Sequence, residues 1–420
     1  MLATSRIEVD LPALSRNVNI IRRILSSAKQ ANAPTPGLCA VLKADGYGLG
    51  APRIARRLAL SHIDLIAVHR AEQARELVES AVMTPILVLM PVYSLERSDT
   101  LYRAATRGQL HFSVHDAQSL DGLIATADGH GIILPVHLEL DTGMSRSGAR
   151  VDDAGALLER INRHPRLKLA GVFNHLSSAD DNASLTAKQN AAFTAWLDEH
   201  AGALPDDCVI HEANTMGLLR SSTHHRTMAR VGLALLGYGA TNMGKAEDFE
   251  FAQEAQALVP CMRWISRIVQ MKWIPRGTPV GYGATWRAKR KTLLGLVPVG
   301  YADGYPLALS NEANVGVLLD DDTREYAPVV GRISMDQLVI DLTTISKKNI
   351  DVGCEVELVG NDPAAPNSLP TLAAQAGTIP HEMLCRLSPR LQRKYLTREV
   401  TPQVEVAIKP VQVSRPRLAV

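Results

Sequence analysis

Ala40-Val-Leu-Lys43-Ala-Asp-Gly-Tyr47-Gly-Leu-Gly50 joins a short apolar run to a lysine, then to a glycine-rich turn holding one tyrosine. The apolar run predicts a buried strand with Lys43 at its end. An ammonium there is costly to desolvate unless it is neutral or covalently committed. One reason to place it there is a Schiff base with an aldehyde. The glycines let backbone amides approach an anion such as a phosphate. Together these features point to pyridoxal 5′-phosphate held by Lys43. The alternative is a snorkelling lysine before an ordinary strand-to-helix turn.

The same alternation of apolar strand and helical pattern recurs outward from this stretch. Apolar runs lie at Leu38–Leu42, Ile63–Val68, Ile86–Met90, Leu110–Val114, Leu134–Leu140, Leu167–Phe173, Cys208–His211 and Thr227–Val231. Helical spacing fills most gaps, as at Ala51–Leu60, Glu72–Ser80, Ala154–Ile161 and Ala187–Leu197, and precedes the series at Leu11–Leu25. Eight such strands predict an α/β chain whose first part, residues 1–247, is a TIM-type (β/α)8 barrel. A doubly wound open sheet is the alternative and usually has fewer strands.

Past about Gly244 the pattern changes. Asp248–Ala257 reads as a linker or hinge helix. Strand-like runs with Gly and Pro turns follow at Met262–Ile274, Thr292–Val299, Val315–Asp320, Tyr326–Ile333, Gln337–Leu342 and Val356–Val359, with helical stretches at Leu369–Gly377 and His381–Leu387. This predicts a mostly β C-terminal domain over 248–400 and a weakly patterned tail over 401–420.

At 420 residues the chain is long for one domain and comfortable for two. A net charge of +2 gives no reason to expect nucleic acid or a charged membrane. No apolar run approaches the roughly 20 residues of a spanning helix, and the amino terminus lacks the apolar core of a signal peptide. Cys39, Cys208, Cys261, Cys354 and Cys385 are widely spaced, odd in number and form no metal-ligand pair. That predicts reduced thiols in a cytoplasm, with neither zinc nor a disulfide framework.

In a barrel, chemistry collects on the loops at the carboxyl ends of the strands. Lys43 ends the first strand, Glu139-Leu-Asp-Thr-Gly-Met-Ser-Arg146 the fifth, Asn174-His175 the sixth and Asn214-Thr215 the seventh. Arg230 lies in the last strand with Gly232-Leu233 just beyond. Phosphate commonly binds at the loops after strands seven and eight, where the Thr215 hydroxyl and the Gly232 and Leu233 amides offer donors. Each residue alone has a plainer reading: His175 as a hydrogen-bonded core histidine, Arg230 as a salt-bridge partner. In the second domain Tyr282, Tyr301 and Tyr305 cluster within Val280–Pro306, and glycines flank Tyr282 on both sides. Tyrosines also cover β surfaces well. The turn Val330-Gly-Arg-Ile-Ser-Met-Asp-Gln337 offers backbone donors.

With these residues in order, the chain closely resembles the alanine racemase family, pyridoxal-phosphate enzymes of fold type III. The likeness runs from about Ile7 to about Tyr395. It rests on Ala40–Gly48, Leu140–Arg146, Gly171–His175, His211–Thr215, Arg230–Gly232, Gly281–Thr285, Gly300–Pro306 and Gly331–Gln337. The resemblance implies a homodimer acting on alanine, with the β domain of one subunit covering the barrel mouth of the other, and a supply of D-alanine for peptidoglycan. It makes Lys43 the Schiff-base lysine and one base, and Tyr282, reaching in from the partner, the second base. Tyr47, Asn214, Thr215, Gly232 and Leu233 fall to the cofactor and its phosphate, Arg230 to the pyridine nitrogen, and His175 to the ring and that arginine. Arg146 falls near the ring hydroxyl and substrate carboxylate, the Met335 amide to the carboxylate, and Glu139 and Asp336 to support.

Two departures from the family stand out. Glu139 replaces a carboxylated lysine, so it is expected to be the anion that holds Arg146. Pro389 stands where some members have a tyrosine that supports the phosphate. Asp45, Gly46 and Leu49 also replace the more usual Asn, Ala and His.

The expected chemistry follows from inverting a stereocentre: a proton leaves one face and another arrives on the opposite face, so two bases are needed. An arginine at the pyridine nitrogen does not give up its proton and leaves that nitrogen bare. Fold type III decarboxylases place a carboxylate there. Cofactor carriers that resemble the barrel alone lack the second domain, and a barrel enzyme without the cofactor would leave Lys43 an ordinary lysine.

Overall fold

The structure, a computed structural model, describes residues 4–27, 34–239, 246–319, 323–345 and 350–398. The expected tail over 401–420 lies outside the described residues.

Eight parallel strands close on themselves. They are β2 (Gly37–Val41), β3 (Leu65–Val68), β4 (Ile86–Val88), β5 (Leu110–Val114), β6 (Leu134–Asp141), β7 (Leu167–Phe173), β8 (Val209–His211) and β9 (Met228–Val231). Closure runs through β9 and β2, which pair in parallel from Met228↔Gly37 to Val231↔Ala40. Continuous apolar runs such as Leu65-Ile-Ala-Val68 are buried on both faces, as an all-parallel sheet covered by helices demands. Each strand expected in this half forms, with its ends within two residues of the expected ones.

The outer helices include α1 (Leu11–Ser27), α2 (Ala51–Ala59), α3 (Ala71–Glu79), α4 (Thr100–Thr106), α5 (Ala117–His130), α6 (Val151–Arg163), α7 (Ala183–Glu199) and α8 (Thr215–Arg220). In α1, Leu14, Val18, Ile21 and Leu25 recur at helical spacing and are fully buried, while Asp10 caps the helix by accepting from the Ala13 amide at 3.0 Å. Burying each such leucine or isoleucine contributes about 1.5–3 kcal/mol.

Among the described residues, the mostly β part is built on two larger sheets and a two-stranded ribbon that pairs Pro279–Val280 with Trp286–Arg287 beside Tyr282. Numbered onward, its sheet strands are β10 (Met262–Arg267), β11 (Gln270–Ile274), β12 (Thr292–Val297), β13 (Asn314–Leu318), β14 (Arg324–Pro328), β15 (Leu338–Asp341), β16 (Glu355–Val359) and β17 (Gln392–Leu396). The larger sheet has the order β14-β13-β16-β10-β1-β17, with β1 the strand Arg6–Asp10, and the smaller β11-β12-β15. The expected single run Met262–Ile274 therefore divides between two sheets. The hinge stretch holds a short helix at Ala252–Gln256, and α9 (Leu369–Gln375) and α10 (Pro380–Cys385) are the helical stretches of this half.

One strand falls across the expected division at 247. β1 (Arg6–Asp10), from the start of the chain, lies in the larger sheet, antiparallel to β10 and parallel to β17. Its Glu8 is buried beside Arg6 and Arg263, so the charges of this strand are paired rather than solvated.

Candidate active site

At the end of β2 the chain does not enter an ordinary helix. Ala44, Asp45, Gly46 and Tyr47 all adopt left-handed helical angles, with φ between 53° and 60°. The turn is closed by the Gly46 amide donating to the Leu42 carbonyl at 3.0 Å and by the Gly50 amide donating to the Asp45 carbonyl at 2.9 Å. Left-handed backbone costs about 1–2 kcal/mol for each residue bearing a Cβ, and here Ala44, Asp45 and Tyr47 bear one. The second half of the chain holds the turn from outside. Arg393 donates to the Gly48 carbonyl through Nε at 3.0 Å and through a terminal nitrogen at 2.9 Å, and the Tyr395 hydroxyl donates to the Leu49 carbonyl at 3.0 Å. Gly48 and Gly50 have no room for a side chain: a Cβ would lie 2.6 Å from the Leu384 carbonyl and 1.9 Å from the Tyr395 hydroxyl respectively.

The turn sets Lys43 at the mouth and sends Tyr47 inward. Lys43 is exposed, though its ammonium is partly desolvated by the surrounding protein. That partial burial, with Arg146 and Arg230 nearby, lowers its pKa from the usual ammonium value. Tyr47 is buried, and its hydroxyl stands where a Cβ on Gly232 would be, 2.0 Å away, so only glycine permits the approach. Thr215, also buried, accepts from the Gly232 and Ala234 amides, each at 3.3 Å. The expected phosphate group is thus brought together: two hydroxyls against the Gly232-Leu233 bend. Asn214 does other work, capping α8 by accepting from the Gly217 amide at 2.9 Å and so fixing Thr215 in place.

Arg230 is almost wholly buried, its guanidinium 5.0 Å above the Phe173 ring. One terminal nitrogen donates to the His211 carbonyl at 2.7 Å and meets His211 Nδ1 at 3.2 Å. The other donates to the Asn174 carbonyl at 2.8 Å and meets His175 Nδ1 at 3.0 Å. A guanidinium has five N–H groups. These contacts use the four terminal ones, and Nε has no hydrogen-bond partner among the described residues. Arginine only donates, so His175 Nδ1 must accept and its Nε2 carries the hydrogen. Burial, with Arg230 close by, pushes the His175 pKa well down. The ring is neutral, and any cationic influence it passes on comes from Arg230.

Asp141 builds the loop that carries Arg146. One carboxylate oxygen accepts from the amides of Gly143, Met144 and Ser145 at 2.9–3.0 Å. Arg146 is exposed on this loop and makes no hydrogen bond or ion pair among the described residues. The expectation that Glu139 holds it is corrected. The buried Glu139 carboxylate accepts from the Ser147 hydroxyl at 3.1 Å and lies 2.8 Å from His115 Nδ1. Burial required a partner, and the interior supplied one before the mouth could.

Tyr282 stands outside this group, on a short turn of the second half, 71% exposed and without a hydrogen-bond partner among the described residues. Gly281 packs on Arg332. Asn311 joins the Tyr282 turn to the Met335 turn, donating to the Thr285 hydroxyl and accepting from the Gly331 amide. Met335 is also exposed, and Asp336 is fixed by Arg390, which bridges to Asp303. Tyr301 is partly exposed nearby, whereas Tyr305 is core, edge-on to Trp264 at 5.7 Å. The clustered tyrosines are therefore of two kinds.

The observed donors suit a pyridoxal phosphate. A lysine of lowered pKa can bear the aldehyde, two hydroxyls and a bend of backbone amides can take the phosphate, and one free arginine N–H remains for a bare ring nitrogen. Sequence reasoning gave no role to His211, although it heads the His211–Thr215 motif, nor to His137 and His111; the three histidines lie on three separate strands. Their common signal was one histidine in each apolar run.

Two family models match the chain: alanine racemase, N-terminal domain, over residues 9–240, and alanine racemase, C-terminal domain, over residues 261–395. The chain is 32% identical to an alanine racemase of Thermodesulfovibrio yellowstonii over 392 residues, 93% of this chain and 98% of that one. It is 32% identical to one of Halothermothrix orenii over 389 residues, 92% and 96%. Among solved structures, the alanine racemase from D-cycloserine-producing Streptomyces lavendulae superposes with a TM-score of 0.81 at 26% identity, covering 95% of this chain and 98% of that one. The alanine racemase from Bartonella henselae, with covalently bound pyridoxal phosphate, gives 0.76 at 26% identity, covering 94% and 100%.

Proposed function

The chain belongs to the alanine racemase family, and from that premise we propose that Lys43 and Tyr282 are the two bases of its reaction, Tyr282 acting in the barrel mouth of a partner subunit. The enzyme is a pyridoxal-phosphate-dependent racemase that interconverts L-alanine and D-alanine, the D-form serving peptidoglycan. Bound through Lys43, the cofactor supplies an electron sink that acidifies the α-proton of an attached amino acid.

The observation that carries the assignment of the remaining residues is the donor count at Arg230. Four of its N–H groups are held by His211, Asn174 and His175, which leaves Nε–H for the pyridine nitrogen. Because arginine keeps its proton, that nitrogen stays an acceptor. A decarboxylase-type carboxylate partner is not what this site offers.

The lowered pKa of Lys43 leaves more of it neutral at working pH, as a base must be. A free phenol, with pKa about 10, is a weak base by itself. In a partner's site Tyr282 would meet the Nε2–H of His175, a donor polarised by Arg230, and that would favour the phenolate. Tyr47, Thr215 and the Leu233 amide would hold the phosphate. Arg146, which has no protein partner among the described residues, and the Met335 amide would take the carboxylate of alanine. The exposed Tyr282 and Met335 on one braced platform support a homodimer. The five free cysteines support a cytoplasmic location.

Borohydride reduction of the holoenzyme and peptide mapping should place a pyridoxyl group on Lys43. A racemisation assay across several amino acids, with cofactor content measured on the same sample, should find alanine preferred. Label on another lysine, or no racemisation of alanine by fully loaded enzyme, would overturn the reading.

A further inference from the structure

Three imidazoles run through the barrel interior below Arg230. His211 Nε2 lies 2.9 Å from His137 Nδ1, and His137 Nε2 lies 2.9 Å from His111 Nδ1. His211 and His137 are fully buried. His111 is half-buried and lines an open pocket of about 540 Å³ at the amino-terminal ends of the strands, beside Gly108, Pro135 and Lys168. The chain therefore leads from the far face of the barrel to the arginine assigned to the cofactor.

Its direction is fixed at one end. A neutral imidazole has one donor and one acceptor nitrogen, whereas arginine only donates. Arg230 faces His211 Nδ1, so that nitrogen accepts and Nε2 of His211 bears the hydrogen. His137 Nδ1 must then accept, its Nε2 must donate, and His111 Nδ1 must accept in turn. The remaining nitrogen of His111 meets the backbone of Gly108, whose carbonyl can take the last hydrogen. No other set of tautomers satisfies every contact. The neighbouring strand is cut to fit: a Cβ on Gly171 would lie 2.2 Å from His137 Nδ1, although the backbone at Gly171 is of an ordinary kind.

We propose that His211, His137 and His111 form a one-way hydrogen-bond chain set by Arg230, and that His137 is a positioning residue that holds the arginine for the ring nitrogen through His211. The inference rests on the assignment of Arg230 to that nitrogen. If His137 ceases to accept, His211 is free to move its hydrogen to Nδ1, where it would oppose the N–H of Arg230.

The test begins with the parent holoenzyme labelled with 15N-histidine. Both His137 and His211 should show a protonated Nε2 and a bare Nδ1; a hydrogen on Nδ1 of either overturns the chain, whatever the role of Arg230. Two substitutions then separate direction from packing. In His137→Asn the amide oxygen replaces Nδ1 and still accepts from His211. In His137→Gln the amide nitrogen reaches the position of Nε2 and the acceptor is lost. His137→Gln should lower kcat about tenfold, the effect of stranding one buried donor, and shift the absorption maximum of the bound cofactor, with little change in KM. His137→Asn should recover most of that loss and the parent spectrum. Equal losses, or the reverse order, would overturn the proposal. Should either variant fail to fold, the tautomers of the parent decide alone. Normal tautomers combined with an unchanged cofactor spectrum in His137→Gln would preserve the chain but overturn its action on the cofactor.

Discussion

Arg230 is held on both sides by groups that can only be satisfied one way, so its orientation is set before any cofactor arrives. Replacing it changes the chemistry rather than the fold of the site. Arg230→Glu puts an acid where a permanent donor stood and invites protonation of the ring nitrogen. With alanine, the variant should show a new long-wavelength absorption band and accumulate pyruvate from transamination, measured by absorbance and by product assay. An unchanged product profile would count against the role. Glu139 makes the converse point. Glu139 lies in the strand that leads into the Arg146 loop, but which donors a buried carboxylate meets depends on how the neighbouring strand end and its own loop fold around it. Here those are His115 and Ser147. That choice of partner is not legible in one chain read linearly.

Among the elements, the left-handed turn after β2 depends on a strand some 350 residues downstream. Arg393 donates not only to Gly48 but also to the carbonyls of Leu387, Ser388 and Leu391. Arg393→Gln would leave several of these without a donor. It should lower stability by about 1–3 kcal/mol and weaken cofactor binding, read from denaturation midpoints and from titration of the apoenzyme with pyridoxal phosphate. The barrel strands were legible because each is an apolar run between helical patterns, a local signal. The handedness of the turn was not: Ala44 and Tyr47 have no intrinsic preference for it and adopt it because α10 and β17 press upon it. β1 escaped for a related reason. Arg6 and Glu8 look like surface charges until their partners Glu355, Arg263 and Lys394 are brought alongside. The histidine chain was hidden because each histidine, taken singly, is an ordinary buried residue.

At the scale of the whole molecule, the two bases lie on different halves of the chain, and Tyr282 faces solvent. Lys43→Ala and Tyr282→Phe subunits should each be inactive. Mixed and allowed to exchange, they should recover about a quarter of the parent activity, since half of randomly paired two-fold dimers are hybrids with one intact site. No recovery after confirmed exchange would mean that both bases come from one chain. The interior histidines also shape the response to acid. Burial pushes His137 and His211 well down and His111 down to about 4. As pH falls below about 6.5, the unfolded chain takes up protons that the folded chain refuses. The stability these groups allow is therefore present above that pH. It is lost below it, by up to about 1.4 kcal/mol per pH unit for each histidine. Urea denaturation at fixed protein concentration should show the midpoint falling between pH 7 and pH 5, and less steeply in His137→Asn.

β1 lies between β10 and β17, its Arg6 opposite both Ile265 and Gln392. During synthesis the Arg6–Asp10 strand must therefore wait for a partner made more than 380 residues later. The barrel strands between Gly37 and Val231 have all their partners in hand long before then. One half of the molecule can assemble as it is made, whereas the other must wait until Gln392–Leu396 has been made. Through that interval β1 keeps an unpaired edge, and charges such as Arg6, Glu8 and Asp10 on an edge disfavour pairing with a wrong strand.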